Sequence, residues 1–310
     1  VGTEGSLVGG RYRLDQPIGR GRAGIVWLAY DTQLNRTVAA KRMYVQPGVP
    51  QAVDTAVQEG RAATRVQHNC AITVYDVVVD GSEPWLVMEY VPSRNMADFL
   101  AEHGILTPEQ TAFLGIQLAS ALTAAHRVGL LHRSLEPGNV LLADDGGVKV
   151  TDIGIWGAGP NSSFQAPELS KGQPAEPATD AFSLGATLYV AVEGVPPIGE
   201  DGTVRQPQRA GQLTGALMKL LREDPIMRPT LADSITAFQA ITQGRQTAFI
   251  PPTAPVMPTV PVMPPSQPMV APRPPVVTIS PSKVRAVILT VMAVLCAAAI
   301  GIGITQLLFL

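Results

Sequence analysis

The sequence predicts an α+β fold, and three observations predict it. Strand-type apolar patterns crowd the chain as far as Val91, helical patterns dominate from residue 95 onward, and a glycine run lies between two strand patterns. With 310 residues, 46% hydrophobic and 15% charged, the chain can build a sizeable core and still carry additional segments.

The elements follow in order. Tyr12, Leu14 and Ile18 before the glycine run, and Val26, Leu28 and Tyr30 after it, mark two strands. Between them Gly19-Arg20-Gly21-Arg22-Ala23-Gly24-Ile25-Val26 fits G-x-G-x-x-G-x-V, where missing side chains let a strand-turn-strand backbone close over phosphates. A dinucleotide-binding fold would need a helix after the glycines, so this arrangement argues against it. Val38-Ala39-Ala40-Lys41 is the next strand, and residues 52–66 read as a helix carrying Glu59. Trp85-Leu86-Val87-Met88-Glu89-Tyr90-Val91 is a short apolar strand leading to a connector. A polar helix follows over 95–102, then a long one over 108–128 with Phe113, Ile116, Leu118, Leu122 and Ala125 as its apolar positions. Taken singly, the glycines fit turn chemistry, Lys41 a surface position on an edge strand, and Glu59 a solvated helix face.

The long helix runs into Leu131-His132-Arg133-Ser134-Leu135-Glu136-Pro137-Gly138-Asn139. Val148-Lys149-Val150-Thr151-Asp152-Ile153-Gly154 then reads as a strand ending in a D-x-G turn. Ala166-Pro167-Glu168, a helix opening at Asp180, and Arg228 in Asp224-Pro225-Ile226-Met227-Arg228-Pro229 complete the series. In this order and spacing the chain resembles, over residues 8–244, the bacterial transmembrane Ser/Thr protein kinases of the eukaryotic-like, Hanks type.

That resemblance implies a bilobal protein-kinase-like fold with a small β-rich N-lobe, a helical C-lobe and a nucleotide cleft near residues 90–94. It implies ATP and Mg²⁺ as ligands. Gly19, Gly21 and Gly24 would cover the phosphates, and Val26, Ala39, Met88, Glu89, Val91 and Leu141 would surround the base. Lys41 would meet the α/β-phosphates, held by an ion pair to Glu59, and Asn139 and Asp152 would be the Mg²⁺ ligands. Glu168 and Arg228 would form a buried ion pair, Asp180 would tether the backbone at His132 and Arg133, and His132 would anchor the loop rather than serve in acid–base chemistry.

Three departures from the family pattern bear on catalysis. Ser134 stands at the catalytic aspartate position, and a neutral hydroxyl is a poor base at pH 7; losing general-base assistance costs about 10²- to 10⁴-fold. Glu136 stands where the family has a lysine, and its carboxylate would repel the transferring phosphoryl group. The segment from Asp152 to Glu168 is only 17 residues long, has no threonine between those ends and lacks the glycine-threonine pair that docks substrate. The sequence therefore predicts a pseudokinase acting as a nucleotide-binding scaffold or regulator. The alternatives are a weakly active Ser/Thr kinase with Glu136 as base, and an adaptor with an unused cleft.

With 23 Lys and Arg against 25 Asp and Glu, no basic field points to nucleic acid. Cys70 and Cys296 suggest no disulfide framework. Residues 245–283 read as a disordered spacer, with 12 prolines between 251 and 281, and residues 284–310 as one transmembrane helix; 286–310 carry no charge. Lys283 and Arg285 beside that span predict a single-pass protein of the cell membrane with its kinase-like domain in the cytoplasm. Expected protein partners are a true Ser/Thr kinase acting on tail hydroxyls such as Thr253, Thr259 and Thr278, and a phosphothreonine-recognition domain reading the product.

Overall fold

The computed structural model describes residues 2–21, 24–46, 48–49, 51–155, 161–199 and 202–242. The first lobe is a six-stranded antiparallel sheet ordered β1-β2-β3-β4-β6-β5, made of Leu7–Val8, Tyr12–Gly21, Gly24–Asp31, Arg36–Arg42, Val74–Asp80 (β5) and Glu83–Met88 (β6). Alternation along the strands divides its apolar residues between two faces. Tyr12, Leu14, Trp27, Ala29, Val38 and Trp85 bury on one, and Ala39, Leu86 and Met88 on the other, where helix α1 (Ala52–Ala63) packs.

Helix α1 seats closely because Gly60 faces the sheet. A Cβ there would lie 2.6 Å from Val77 Cγ2. The helix stops three residues short of the predicted end: Thr64 caps it, and the chain turns so that Val66 buries in the second lobe. Strand β6 likewise ends at Met88, and the Glu89 N–H donates instead to the Thr73 carbonyl at 2.8 Å as the connector begins.

The second lobe is mostly helical. Its elements are α2 (Met96–His103), α3 (Pro108–Arg127), α4 (Pro167–Ser170), α5 (Pro177–Glu193), α6 (Thr214–Leu220) and α7 (Leu231–Thr242), with a small sheet of β7 (Ser93–Asn95), β8 (Val140–Ala143) and β9 (Val148–Val150) facing the first lobe. Helix α3 starts sharply because Thr107 and Gln110 cap each other reciprocally and Pro108 needs no amide donor in the first turn. Its buried Leu114, Leu118 and Leu122 share a core with Phe182 and Leu188 of α5 and Phe238 of α7. Gly115 permits the close crossing, since a Cβ would meet Phe238 Cε2 at 2.8 Å and Leu188 Cδ1 at 2.9 Å. This rigid core carries the loop after α3.

Among the described residues, backbone bonds join the lobes from the Ile72 N–H to the Val150 carbonyl at 2.9 Å and from the Val150 N–H to the Cys70 carbonyl at 2.8 Å. Beyond β9, Ile153 packs in the second-lobe core and Ile155 in the first-lobe core, so one short turn is anchored in both. Among the described residues no helix is long and apolar enough to cross a membrane. The proline-rich stretch and the span expected over 284–310 lie outside the described residues, as do residues 156–160.

Candidate active site

The β2–β3 hairpin places the glycines as a strand-turn-strand, with Gly19 opposite Val26 and Gly21 opposite Gly24. Gly24 takes a φ of 123°, which side-chain-bearing residues rarely adopt. Among the described residues a Cβ on Gly19 would meet only Val26, at 3.8 Å, an ordinary contact. Register then sets the neighbours: Val26 lies opposite Lys41, and Ala39 opposite Met88. Val26, Ala39, Met88, Val91 and Leu141 all fall in one apolar cluster, which Leu141 joins from β8 across the cleft. Glu89 reaches the same region, but its side chain is taken up by Lys149, 2.8 Å away, and by the Thr73 N–H. Its N–H is donated to the Thr73 carbonyl, so its own carbonyl is what remains for a base.

Lys41 is 7% exposed, and a charge so buried needs a partner. Its Nζ lies 2.6 Å from Asp152 Oδ2. The resemblance implies Glu59 as partner of this ammonium; the ion pair described for it is the one to Asp152. Helix α1 turns Ala56, Gly60 and Ala63 to the sheet, and Ile155 packs in the cluster holding Ala63 and Met88.

Asp152 has a left-handed backbone, φ 62°, and its Oδ1 is buried with no hydrogen-bond partner among the described residues. Asn139 is brought alongside by the pairing of Val140 with Val150 and by the Thr151 N–H, which donates to the Asn139 carbonyl at 3.0 Å. The Asn139 Nδ2 donates to the Ser134 carbonyl at 2.9 Å, which orients its amide oxygen away from that bond. The orphaned carboxylate oxygen of Asp152 and the amide oxygen of Asn139 are the donor types that suit a hard cation such as Mg²⁺. Among the described residues no group of three or more His, Cys, Asp or Glu side chains could hold a metal. Phosphate oxygens and water would have to complete the shell.

The loop bearing Ser134 is held by Asp180, fully buried on α5. Its carboxylate accepts from His132 N–H at 2.9 Å and Arg133 N–H at 2.8 Å, the tether the resemblance implies. It also lies 2.7 Å from His126 Nε2, a contact that sequence reasoning missed although His126 stands in the last turn of the helix that leads to the loop. Thr187 adds a bond to the Leu135 carbonyl at 3.2 Å. His132 is 1% exposed, its ring nitrogens unpartnered among the described residues, which fits packing and not proton transfer. The loop geometry is intact around a serine.

Glu136 accepts from Asn161 Nδ2 at 2.9 Å. Further on, Glu168 and Arg228 form the implied buried pair, both bonds at 2.7 Å, with Arg228 also donating to the carbonyls of Ala178, Arg222 and Glu223. Burial alone would push the Glu168 carboxyl up, but the guanidinium overrides it and holds the group below its ordinary value.

Comparison with known proteins agrees with this geometry. A family model described as a protein kinase domain matches residues 12–238. The chain is 38% identical over 193 residues to the serine/threonine-protein kinase PknK of Mycobacterium tuberculosis, covering 58% of this chain and 17% of PknK. It is 30% identical over 278 residues to the serine/threonine-protein kinase PkaA of Streptomyces coelicolor, covering 76% of this chain and 51% of PkaA. Two other relatives are spanned over 32% of their length, so the chain covers a third of them or about half of PkaA at most. In fold it is similar to the crystal structure of the M. tuberculosis PknI kinase domain, with a TM-score of 0.68 at 24% identity over 77% of this chain and 99% of that one. The motif order, the bilobal fold and the family match together establish that this chain belongs to the protein kinase domain family, among the bacterial Ser/Thr kinases of the Hanks type.

Proposed function

We propose that this chain is a membrane-anchored pseudokinase, a signalling scaffold or regulator in Ser/Thr phosphorylation pathways that binds Mg-ATP without efficient phosphotransfer. The observation carrying it is Ser134: the loop is tethered as a catalytic loop by Asp180, yet it presents a hydroxyl at the position of the general base. Protein kinases generally use ATP and Mg²⁺, the metal neutralising phosphate charge. In this chain the apolar cluster from Val26 to Leu141 would bind the base, Lys41 would meet phosphate oxygens, and Asp152 Oδ1 with Asn139 would hold the metal. No side chain at position 134 would then take the proton of an acceptor hydroxyl.

A thermal-shift series with Mg-ATP tests the binding half. Ligand at 100 times its Kd stabilises the folded state by about 2.7 kcal/mol. Wild type should shift and Lys41→Met should not; no shift and no heat of binding at millimolar ATP would favour the unused-cleft adaptor instead. The catalytic half is tested by labelled-phosphate transfer to a protein substrate. Transfer by wild type that Glu136→Ala abolishes would establish the weak kinase.

Anchoring and partners belong to the same proposal. The uncharged stretch 286–310, long enough as a helix to span about 30 Å, supports a membrane anchor with the kinase-like domain cytoplasmic. Recovery of the full chain in a carbonate-washed soluble fraction would overturn that. The tail hydroxyls support phosphorylation by an active kinase and capture by a phosphothreonine-recognition domain, checked by mass spectrometry of the isolated chain.

A further inference from the structure

We propose that Glu136 and Asn161 form a latch that sets residues 161–166 of the activation segment against the catalytic loop without phosphorylation. The inference rests on the pseudokinase reading in one respect, that position 136 no longer serves phosphoryl transfer; it gives that carboxylate a different task.

Both ends of the Asn161 amide are used. Its Nδ2 donates to Glu136 Oε2 at 2.9 Å, and its Oδ1 accepts from the Ser163 N–H at 3.2 Å, so the side chain is fixed in rotamer and in sense. The backbone then closes a tight turn over Ser162–Phe164: the Phe164 N–H donates to the Asn161 carbonyl at 2.9 Å and Gln165 N–H to the Ser162 carbonyl at 3.3 Å. Phe164 and Ala166 are 8% and 1% exposed in the second-lobe core. The segment is thus pinned by apolar burial at one end and by Glu136 at the other.

The loop side is equally fixed. Glu136 has an extended backbone between Leu135 and Pro137, both buried, and the Leu135 carbonyl is held by Thr187 on α5. A hydrogen bond with one ionised partner is stronger than a neutral one. Kinase activation loops are commonly ordered by phosphorylation, through new arginine–phosphate pairs. Here an amide donor and a carboxylate join the same two elements with no phosphate. Glu136 is the positioning residue of the segment, and that engagement opposes its use as a base.

Hydrogen exchange on the full chain, shown by intact mass to be unphosphorylated, tests the latch. Asn161→Asp keeps an oxygen for the Ser163 N–H but replaces the donor facing Glu136 with a second anion. Exchange at Ser163 and Phe164 should become at least about tenfold faster. The double variant Asn161→Asp with Glu136→Lys should restore slow exchange by reversing one charge, a rescue that general loosening would not give. Wild-type exchange in Asn161→Asp, or no rescue in the double variant, would overturn the proposal. Should either variant fail to fold, judged by lost protection across α3, Asn161→Ser decides: its hydroxyl can cap Ser163 but is too short for Glu136, so unchanged exchange counts against the latch. Mg-ATP thermal shifts on the same samples separate the two readings, since a latch present without a shift leaves this inference standing and removes the nucleotide claim.

Discussion

Lys41 Nζ lies 2.6 Å from one oxygen of Asp152, while the other oxygen of that carboxylate is buried without a hydrogen-bond partner among the described residues. The two side chains are 9% and 14% exposed, so the pair sits in low dielectric and joins the lobes. Removing one member of such a pair leaves an uncompensated charge, which costs about 3–5 kcal/mol when fully buried. Lys41→Met should therefore lower the melting temperature even without ligand. Adding Asp152→Asn should recover part of the loss; chemical denaturation of both variants checks this.

Glu168 and Arg228 give the corresponding prediction for the second lobe. Arg228→Ala strands a 5%-exposed carboxylate and should destabilise by about 3–5 kcal/mol. The sign of the pH dependence follows from the lowered Glu168 group: its contribution is present above the ordinary carboxyl range and is lost as pH falls through the depressed value. Glu168→Gln should flatten the acid limb of the stability curve. An unchanged limb would mean that other carboxylates dominate it.

Asp31 offers a second acid-sensitive site. Arg11 holds its carboxyl down to about 2 from 3.8, through bonds of 2.6 and 2.7 Å, with help from the Leu34 and Gln33 N–H groups. Its stabilisation is complete above 3.8 and fades as pH falls toward 2. Asp31→Asn should make unfolding less steep in that window, followed by circular dichroism.

The crossing at Gly115 admits no extra methyl group. Gly115→Ala drives a Cβ against the Phe238 ring and Leu188 and should cost about 1–3 kcal/mol by overpacking, despite the better helix propensity of alanine. A calorimetric melting temperature equal to wild type would show that α7 can shift aside.

Much of this was legible in the sequence because it depends on local pattern. Glycines between strands, Thr107-Pro108 before a periodic run, and the loop around Ser134 each carry their own signal, and the Glu168–Arg228 and Asp180 contacts follow once the family resemblance is accepted. What escaped depends on packing between elements distant in sequence. The Lys41–Asp152 contact joins residues 111 apart, and neither local sequence pairs the two. The Asn161–Glu136 bond joins residues 25 apart, and nothing in either local sequence announces it. His126 was hidden for a plainer reason: a histidine at a helix C-terminus is ordinary, and only the fold brings it to Asp180.

The central claim is that the chain binds Mg-ATP and does not efficiently transfer phosphate, and it is tested most directly by calorimetry with Mg-ATP paired with labelled-phosphate transfer on the same full-chain preparation. Binding heat that disappears in Lys41→Met, together with transfer at background in wild type and far below that of active relatives in Ser134→Asp, is the expected result. Efficient wild-type transfer, or a normal rate restored by Ser134→Asp alone, would contradict it.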